Sequence, residues 1–68
     1  MNDAASLKWW NVEIYAFGDD RFQAKSKDAA RYLAFKAMRE SGYFRGRDGF
    51  HRFLVQGVFV SPVKEPRP

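Results

Sequence analysis

The absence of cysteine from so short a chain limits the forces that can hold it folded. The sequence has 68 residues and no cysteine, so disulfides and thiolate metal sites are excluded, and its single histidine, His51, cannot form a zinc site alone. A chain of this size buries only about 60% of the surface that its unfolded form exposes. The twelve Phe, Trp and Tyr residues must therefore supply most of the core. We expect no metal site and no cofactor.

The first third of the chain alternates between inward and outward side chains, as a strand does. From residue 8 to residue 18 one face collects Trp10, Val12, Ile14 and Ala16, and the other collects Trp9, Asn11, Glu13, Tyr15 and Phe17. Residues 18–20 have turn chemistry, and the alternation resumes over residues 21–25 with Phe22 and Ala24 inward. These patterns predict a β-hairpin that turns near residues 18–20.

A helix is predicted over residues 27–41, between an N-cap at Ser26 and a stop at Gly42. At 100° per residue one side collects small and apolar residues, which are Ala29, Ala30, Leu33, Ala34, Ala37 and Met38. The other side carries Arg31, Tyr32, Phe35 and Arg39. If the alanine side faces the sheet, Tyr32 and Phe35 face solvent. Alternatively, the helix is rotated so that one of these rings packs beneath the following loop or the C-terminal tail.

The segment after this helix interleaves aromatic rings with basic groups. Residues 42–53 contain three glycines, which favour a loop, together with Tyr43, Phe44, Phe50, Phe53, Arg45, Arg47, His51 and Arg52. Two interpretations remain open. The rings close the core while the arginines are solvated, or rings and guanidinium groups together form a binding surface.

Residues 52–60 are rich in Phe, Val and Leu and predict a third strand, with a bulge or bend at Gly57. The pattern does not decide which side chains of this strand face inward. The expected fold is a small single α+β domain over residues 7–63 in the order ββαβ. It has an antiparallel-type sheet of at least three strands in the spatial order 2-1-3, with one amphipathic helix on one face. Nothing in the sequence covers the other face. Residues 1–6 and 64–68 are expected to be disordered.

The sequence contains no constellation typical of a catalytic site. It has no paired-carboxylate motif, no phosphate-binding glycine loop and no nucleophile beside a base, so we expect no catalytic residue and no enzymatic activity. The formal charge of +4 favours an anionic partner. No apolar run is long enough to span a membrane, so we expect a soluble protein in the cytoplasm of the host cell, with no membrane partner.

Two classes of binding site are candidates. For a protein partner the candidate contacts are Arg31, Tyr32, Phe35, Arg39, Tyr43, Phe44, Arg45, Arg47, Phe50, His51 and Arg52, because Trp, Tyr and Arg dominate interface hot spots. For single-stranded nucleic acid, an open sheet face carrying Trp9, Tyr15, Phe17, Arg21 and Lys25 provides rings for stacking, with loop arginines near phosphates.

The order of the predicted elements carries a resemblance. An N-terminal hairpin, then the run Ala24-Lys25-Ser26-Lys27-Asp28-Ala29-Ala30 that opens an amphipathic helix, then a closing strand, is similar to very small proteins of phages and other mobile elements. Among these it resembles some anti-CRISPR inhibitors of multisubunit Cas surveillance complexes of type I. The resemblance covers size and layout between residues 8 and 60. These inhibitors share no general motif, so it assigns no residue a role.

The resemblance implies a non-enzymatic inhibitor that binds a ribonucleoprotein and blocks target DNA or nuclease recruitment. Mimicry of DNA by a dense acidic surface does not fit, because the eight acidic residues are scattered and the net charge is positive. A steric block that inserts rings and arginines into a cleft fits better. The expected partner is a Cas protein, its guide RNA or both, and the chain acts as a monomer or a small homo-oligomer. The alternative is a small basic nucleic-acid-binding protein.

Overall fold

The computed structural model describes residues 7–63, which form three strands and two helices. In chain order these are β1 (Lys8–Ile14), β2 (Gly18–Ala24), α1 (Lys27–Glu40), α2 (Gly49–Gly57) and β3 (Val58–Pro62). The strand order is β2-β1-β3 and both pairs are antiparallel. The predicted α+β class and 2-1-3 order are confirmed, whereas the prediction of a single helix is wrong. The predicted disorder of residues 1–6 and 64–68 lies outside the described residues.

The hairpin turns three residues earlier than the sequence predicts. Ile14 pairs with Gly18, so residues 15–17 form the turn, and the backbone N–H of Phe17 donates to the carbonyl of Ile14 at 2.8 Å. Ala16 has a φ of 74°, which interrupts the extended backbone and ends the alternation of β1. Three-residue hairpin loops are common, and Gly18 follows the turn as the first residue of β2 instead of beginning the turn.

The predicted inward and outward faces of the hairpin are confirmed within the strands. Val12, Ile14 and Ala24 are buried, and Trp10 packs partly buried against them. The indole N–H of Trp10 donates to the carbonyl of Ala24 at 3.0 Å, which ties the end of β2 to β1. Because the helices pack on this inner side, no helix of residues 7–63 covers the opposite side of the sheet.

Helix α1 begins and ends within one residue of the predicted bounds, because both ends carry strong local signals. The hydroxyl oxygen of Ser26 accepts a hydrogen bond from the backbone N–H of Ala29 at 3.1 Å, as an N-cap does. At the other end Gly42 has a φ of 97° and donates to the carbonyl of Arg39, while Tyr43 donates to Met38. These two bonds form a Schellman motif, which satisfies carbonyls that the helix leaves without partners.

The rotation of α1 about its axis decides between the two alternatives for its aromatic residues. Ala30, Ala34 and Phe35 are buried, whereas Leu33, expected inside, is 37% exposed. Phe35 is only 3% exposed, so the expectation that it faces solvent is wrong and the rotated arrangement holds. Tyr32 is 51% exposed, which is consistent with its predicted solvent-facing position.

The second helix replaces the first part of the predicted third strand. Residues 52–57 belong to α2, and β3 begins only at Val58. Phe50, Phe53 and Leu54 are spaced as one face of a helix, and Phe53 is completely buried. The high strand propensity of Phe, Val and Leu is overridden here by the contacts that a helix allows. In β3 the partly buried valines face inward, and Phe59 faces outward with 63% exposure.

Candidate binding surfaces

An aromatic cluster joins the two helices. Phe35 lies at its centre, with ring centroids 5.0 Å from Phe50 and 5.4 Å from Phe53. Tyr32 lies 5.9 Å from Phe35 and 6.1 Å from Phe50. The cluster is buried on one side, at Phe35 and Phe53, and exposed on the other, at Tyr32 and Phe50. Two exposed rings are therefore held in place by two buried ones.

The predicted aromatic loop contributes to both the core and the surface. Phe44 packs against Phe53 at 5.5 Å and is partly buried, so the core-closing interpretation is right for these two rings. Tyr43 is exposed and contacts Phe17 at 5.0 Å. Phe17 also contacts Phe44, at 5.6 Å, and thus lies on the helix side of the sheet. The prediction that Phe17 lies on the outer stacking face is wrong, because the turn at residues 15–17 redirects it.

A close backbone approach fixes where α2 begins. A Cβ atom at Gly49 would lie 1.9 Å from the carbonyl oxygen of Phe44, so only glycine fits at this position. Phe44 itself has a φ of 52°, in the left-handed region that few non-glycine residues adopt. The contact between Phe44 and Gly49 therefore fixes the start of α2 relative to the loop. The position of the aromatic cluster depends on this contact.

The arginines fall into two groups by their contacts. Arg31 bonds the carboxylate of Asp28 at 2.6 Å, and Arg52 bonds that of Asp48 at 3.2 Å. Arg52 also donates to the carbonyl of Arg45, which clamps the loop to α2. Both side chains thus have roles within the fold. The exposed side chains of Arg39, Arg45 and Arg47 form no ion pair with another residue of the described range 7–63.

Arg39 lies over the ring of Phe35, with its guanidinium carbon 5.6 Å from the ring centroid. Both residues line a groove of about 300 Å³ on the solvent side of α1, together with Tyr32, Lys36 and Glu40. Phe35 is the floor because it alone among these residues is buried. We call the exposed side chains Tyr32, Lys36, Arg39 and Phe50 the α1–α2 surface.

The open side of the sheet is the second candidate surface. By strand register it carries Trp9, Asn11, Glu13, Asp19, Arg21, Gln23 and Phe59, which we call the outer sheet face. Trp9 is half-buried and Arg21 is exposed. Tyr15, in the turn, lies beside Phe59, since both approach Gly57. Glu13 is the direct cross-strand partner of both Asp19 and Phe59, so its carboxylate lies beside the exposed ring and that of Asp19 lies one strand farther away.

The structure thus separates the residues that the sequence grouped together. The residues that meet at one place are Tyr32, Phe35, Arg39 and Phe50. The opposite side of the molecule carries Trp9, Tyr15 and Arg21. Lys25 lies just beyond the end of β2. His51 is exposed on α2. Sequence reasoning missed Lys36 and Phe59. The helical spacing of Lys36 from Tyr32 indicates the first, but Phe59 required knowing where β3 begins.

Within residues 7–63 no group of three or more His, Asp or Glu side chains could hold a metal ion. No helix in the same range is long and apolar enough to cross a bilayer. Comparison of the chain with protein-family models, with curated proteins and with solved structures found no match.

Proposed function

We propose that this protein is a non-enzymatic binding protein that docks its α1–α2 surface on a ribonucleoprotein. The observation that carries the proposal is the contact between Tyr32 and Phe50. Both rings are exposed, yet both are supported from beneath by the buried ring of Phe35. Exposed aromatic rings on a rigid base are typical of interface anchors, because little conformational entropy is lost when a partner covers them.

The charges around these rings indicate the chemistry of the partner. Lys36 and Arg39 border the rings and carry no ion pair with any residue in the described range. Arg45 and Arg47 lie in the loop that leads into α2, close to Phe50 in the chain. A surface of this kind favours a partner with negative charge beside an apolar cleft. A protein complex that carries RNA or DNA offers both.

The resemblance in size and layout to anti-CRISPR inhibitors supports a more specific proposal. In it the partner is a type I Cas surveillance complex, and the bound protein sterically blocks target DNA or nuclease recruitment. Three of the six described carboxylates, those of Glu13, Asp19 and Asp20, lie near the tip of the hairpin and away from the α1–α2 surface. A cationic contact surface is inconsistent with DNA mimicry and consistent with insertion into an anionic cleft. The protein would act in the host cytoplasm.

The test is capture of the protein by purified type I surveillance complexes, followed by measurement of target-DNA binding. Tyr32→Ala is expected to weaken capture by about 2 kcal/mol, near thirtyfold, as truncation of a hot-spot ring does. Phe59→Ala is the matched control, because it removes a ring of similar size and greater exposure from the outer sheet face. Equal losses of capture affinity in the two variants would show that the binding site is not the α1–α2 surface. Failure of every such complex to capture the wild type would reject the inhibitor proposal.

A further inference from the structure

We infer that the α1–α2 surface holds a single-stranded segment of nucleic acid, with a base stacked on Tyr32 and a phosphate bound by Arg39. The inference rests on the proposed function, since it names the component of the ribonucleoprotein that the surface contacts. Binding of single-stranded nucleic acid can be measured without any Cas complex. Three features of the groove support it, namely a positioned guanidinium, a supported ring and the distribution of charge.

The guanidinium of Arg39 is positioned before any ligand arrives. It lies over the face of Phe35, at 5.6 Å from the ring centroid, and Phe35 is held by Phe50 and Phe53. A guanidinium stacked on a ring keeps the N–H groups at its edge available. Those groups fit the oxygens of a phosphate in a bidentate manner. The stacking therefore reduces the entropy that Arg39 loses on binding and leaves its bonding capacity intact.

Tyr32 offers a ring on which a base can stack. About half of its surface is exposed, while Phe35 and Phe50 support it from the protein side. Bases in a duplex are already stacked on their neighbours, so an exposed ring of this kind selects unpaired bases. The rise of 1.5 Å per residue places Lys36 about 6 Å and Arg39 about 10 Å along the helix axis from Tyr32. One side of α1 thus carries a stacking ring and two cations in a row.

The charge distribution decides between the two aromatic surfaces. In the groove the only carboxylate among the lining residues is that of Glu40, against the cations of Lys36 and Arg39. On the outer sheet face Glu13 and Asp19 are opposite each other, and Glu13 is also opposite Phe59. Glu13, directly beside that ring, and Asp19, one strand farther, would repel phosphates, and among the residues that the register places on this face they outnumber the cation of Arg21. We therefore assign the single-stranded nucleic acid to the groove of α1 and not to the outer sheet face.

The experiment is titration of the full chain with labelled single-stranded oligonucleotides of RNA and DNA, read by fluorescence anisotropy at several salt concentrations. The wild type is expected to bind at low salt, with an affinity that falls steeply as salt rises. Arg39→Gln should reduce the slope of log affinity against log salt by about 0.7, the value for one contact to a single strand. Tyr32→Ala should weaken binding about tenfold at every salt concentration, since it removes a stacking ring and no charge.

Conservative and control variants separate these effects from loss of structure. Tyr32→Phe keeps the ring and should bind as the wild type does. Arg21→Gln removes one positive charge, and Phe59→Ala one exposed ring, from the outer sheet face. Each of these two variants should change the affinity by no more than about twofold. Arg21→Gln also lowers the net charge of the protein by one, and the weak loss of affinity that this causes is additional. A larger effect of these two variants than of Arg39→Gln and Tyr32→Ala would overturn the assignment to α1.

The outcomes for the inference and for the proposed function differ. Capture by a surveillance complex without binding of any oligonucleotide at low salt would reject the inference and support a protein contact. Oligonucleotide binding without capture would support the inference and reject the inhibitor proposal. A duplex of the same sequence that binds as tightly as the single strand would overturn the role of Tyr32 in stacking.

Discussion

Removal of the Phe35 ring tests whether the aromatic cluster is the centre of the core. Phe35→Ala deletes a side chain that is 3% exposed and contacts three other rings. Loss of a buried Phe costs about 3–5 kcal/mol. A single core in a chain of this length rarely supplies more than about 3–5 kcal/mol. The two quantities are equal within their uncertainty, so the variant should be largely unfolded at 25 °C.

Urea and thermal unfolding, followed by far-ultraviolet circular dichroism, measure this effect. Phe35→Ala should lack a cooperative transition, and Phe35→Leu, which keeps much of the volume, should unfold cooperatively at a lower temperature. Tyr32→Ala is the matched control, because it truncates an exposed ring of the same cluster. Its expected cost is about 1 kcal/mol, or roughly 4–8 °C in Tm. A melting temperature of Phe35→Ala within about 5 °C of wild type would refute the burial argument.

Three further variants test other positions by the same unfolding measurement. Gly49→Ala should cost at least about 3 kcal/mol, because the added methyl would lie 1.9 Å from the Phe44 carbonyl; an intact domain would show that the loop can move away. Ser26→Ala should cost about 1 kcal/mol through the lost N-cap bond, and Ser26→Asp should restore most of it, a result that a purely steric role would not give. Leu33→Ala should lower the free energy of unfolding by about 1–2 kcal/mol, and not by the roughly 2–5 kcal/mol of a fully buried leucine, since Leu33 is 37% exposed. A larger loss would mean that α1 is rotated back toward its alanine side.

The parts of the fold that the sequence predicts well are those with local causes. Ser26 and Gly42 mark the ends of α1 because an N-cap oxygen and a left-handed C-terminal residue act within one turn of the chain. The inward face of β1, at Val12 and Ile14, follows from alternation alone. The strand order 2-1-3 is the one expected when the helix returns the chain beside the first strand of the hairpin.

The errors have a tertiary cause. Phe53 and Val55 have high strand propensity, and only the contacts of Phe53 with Phe35 and Phe44 favour a helix there. Without α2, the sequence offers only the following loop or the C-terminal tail as a cover for Phe35. The rotation of α1 therefore could not be settled from its own periodicity. The position of the turn is ambiguous in the sequence because Gly18 can end a turn as well as begin one.

The candidate site was predicted in part for the same reason. Residue type alone marks Tyr32, Arg39 and Phe50 as candidates, and the structure brings them together through Phe35. Residue type also marks Arg31 and Arg52, but Arg31 is paired with Asp28 of its own helix and Arg52 with Asp48 at the N-cap of α2. Composition indicates which residues can bind a partner, and only the packing of the two helices shows which of them are available to do so.

The central strand of the sheet is also the first to be synthesised, and its two neighbours arrive at very different times. Gly18, which pairs with Ile14, follows it almost at once, whereas Val58, on the other edge of Ile14, follows about 44 residues later. At 5–20 residues per second this interval is roughly 2–9 s of translation. Until then one edge of β1 offers its backbone groups to any strand in reach. The tendency of this chain to aggregate should therefore depend on translation rate as well as on the stability of the finished fold.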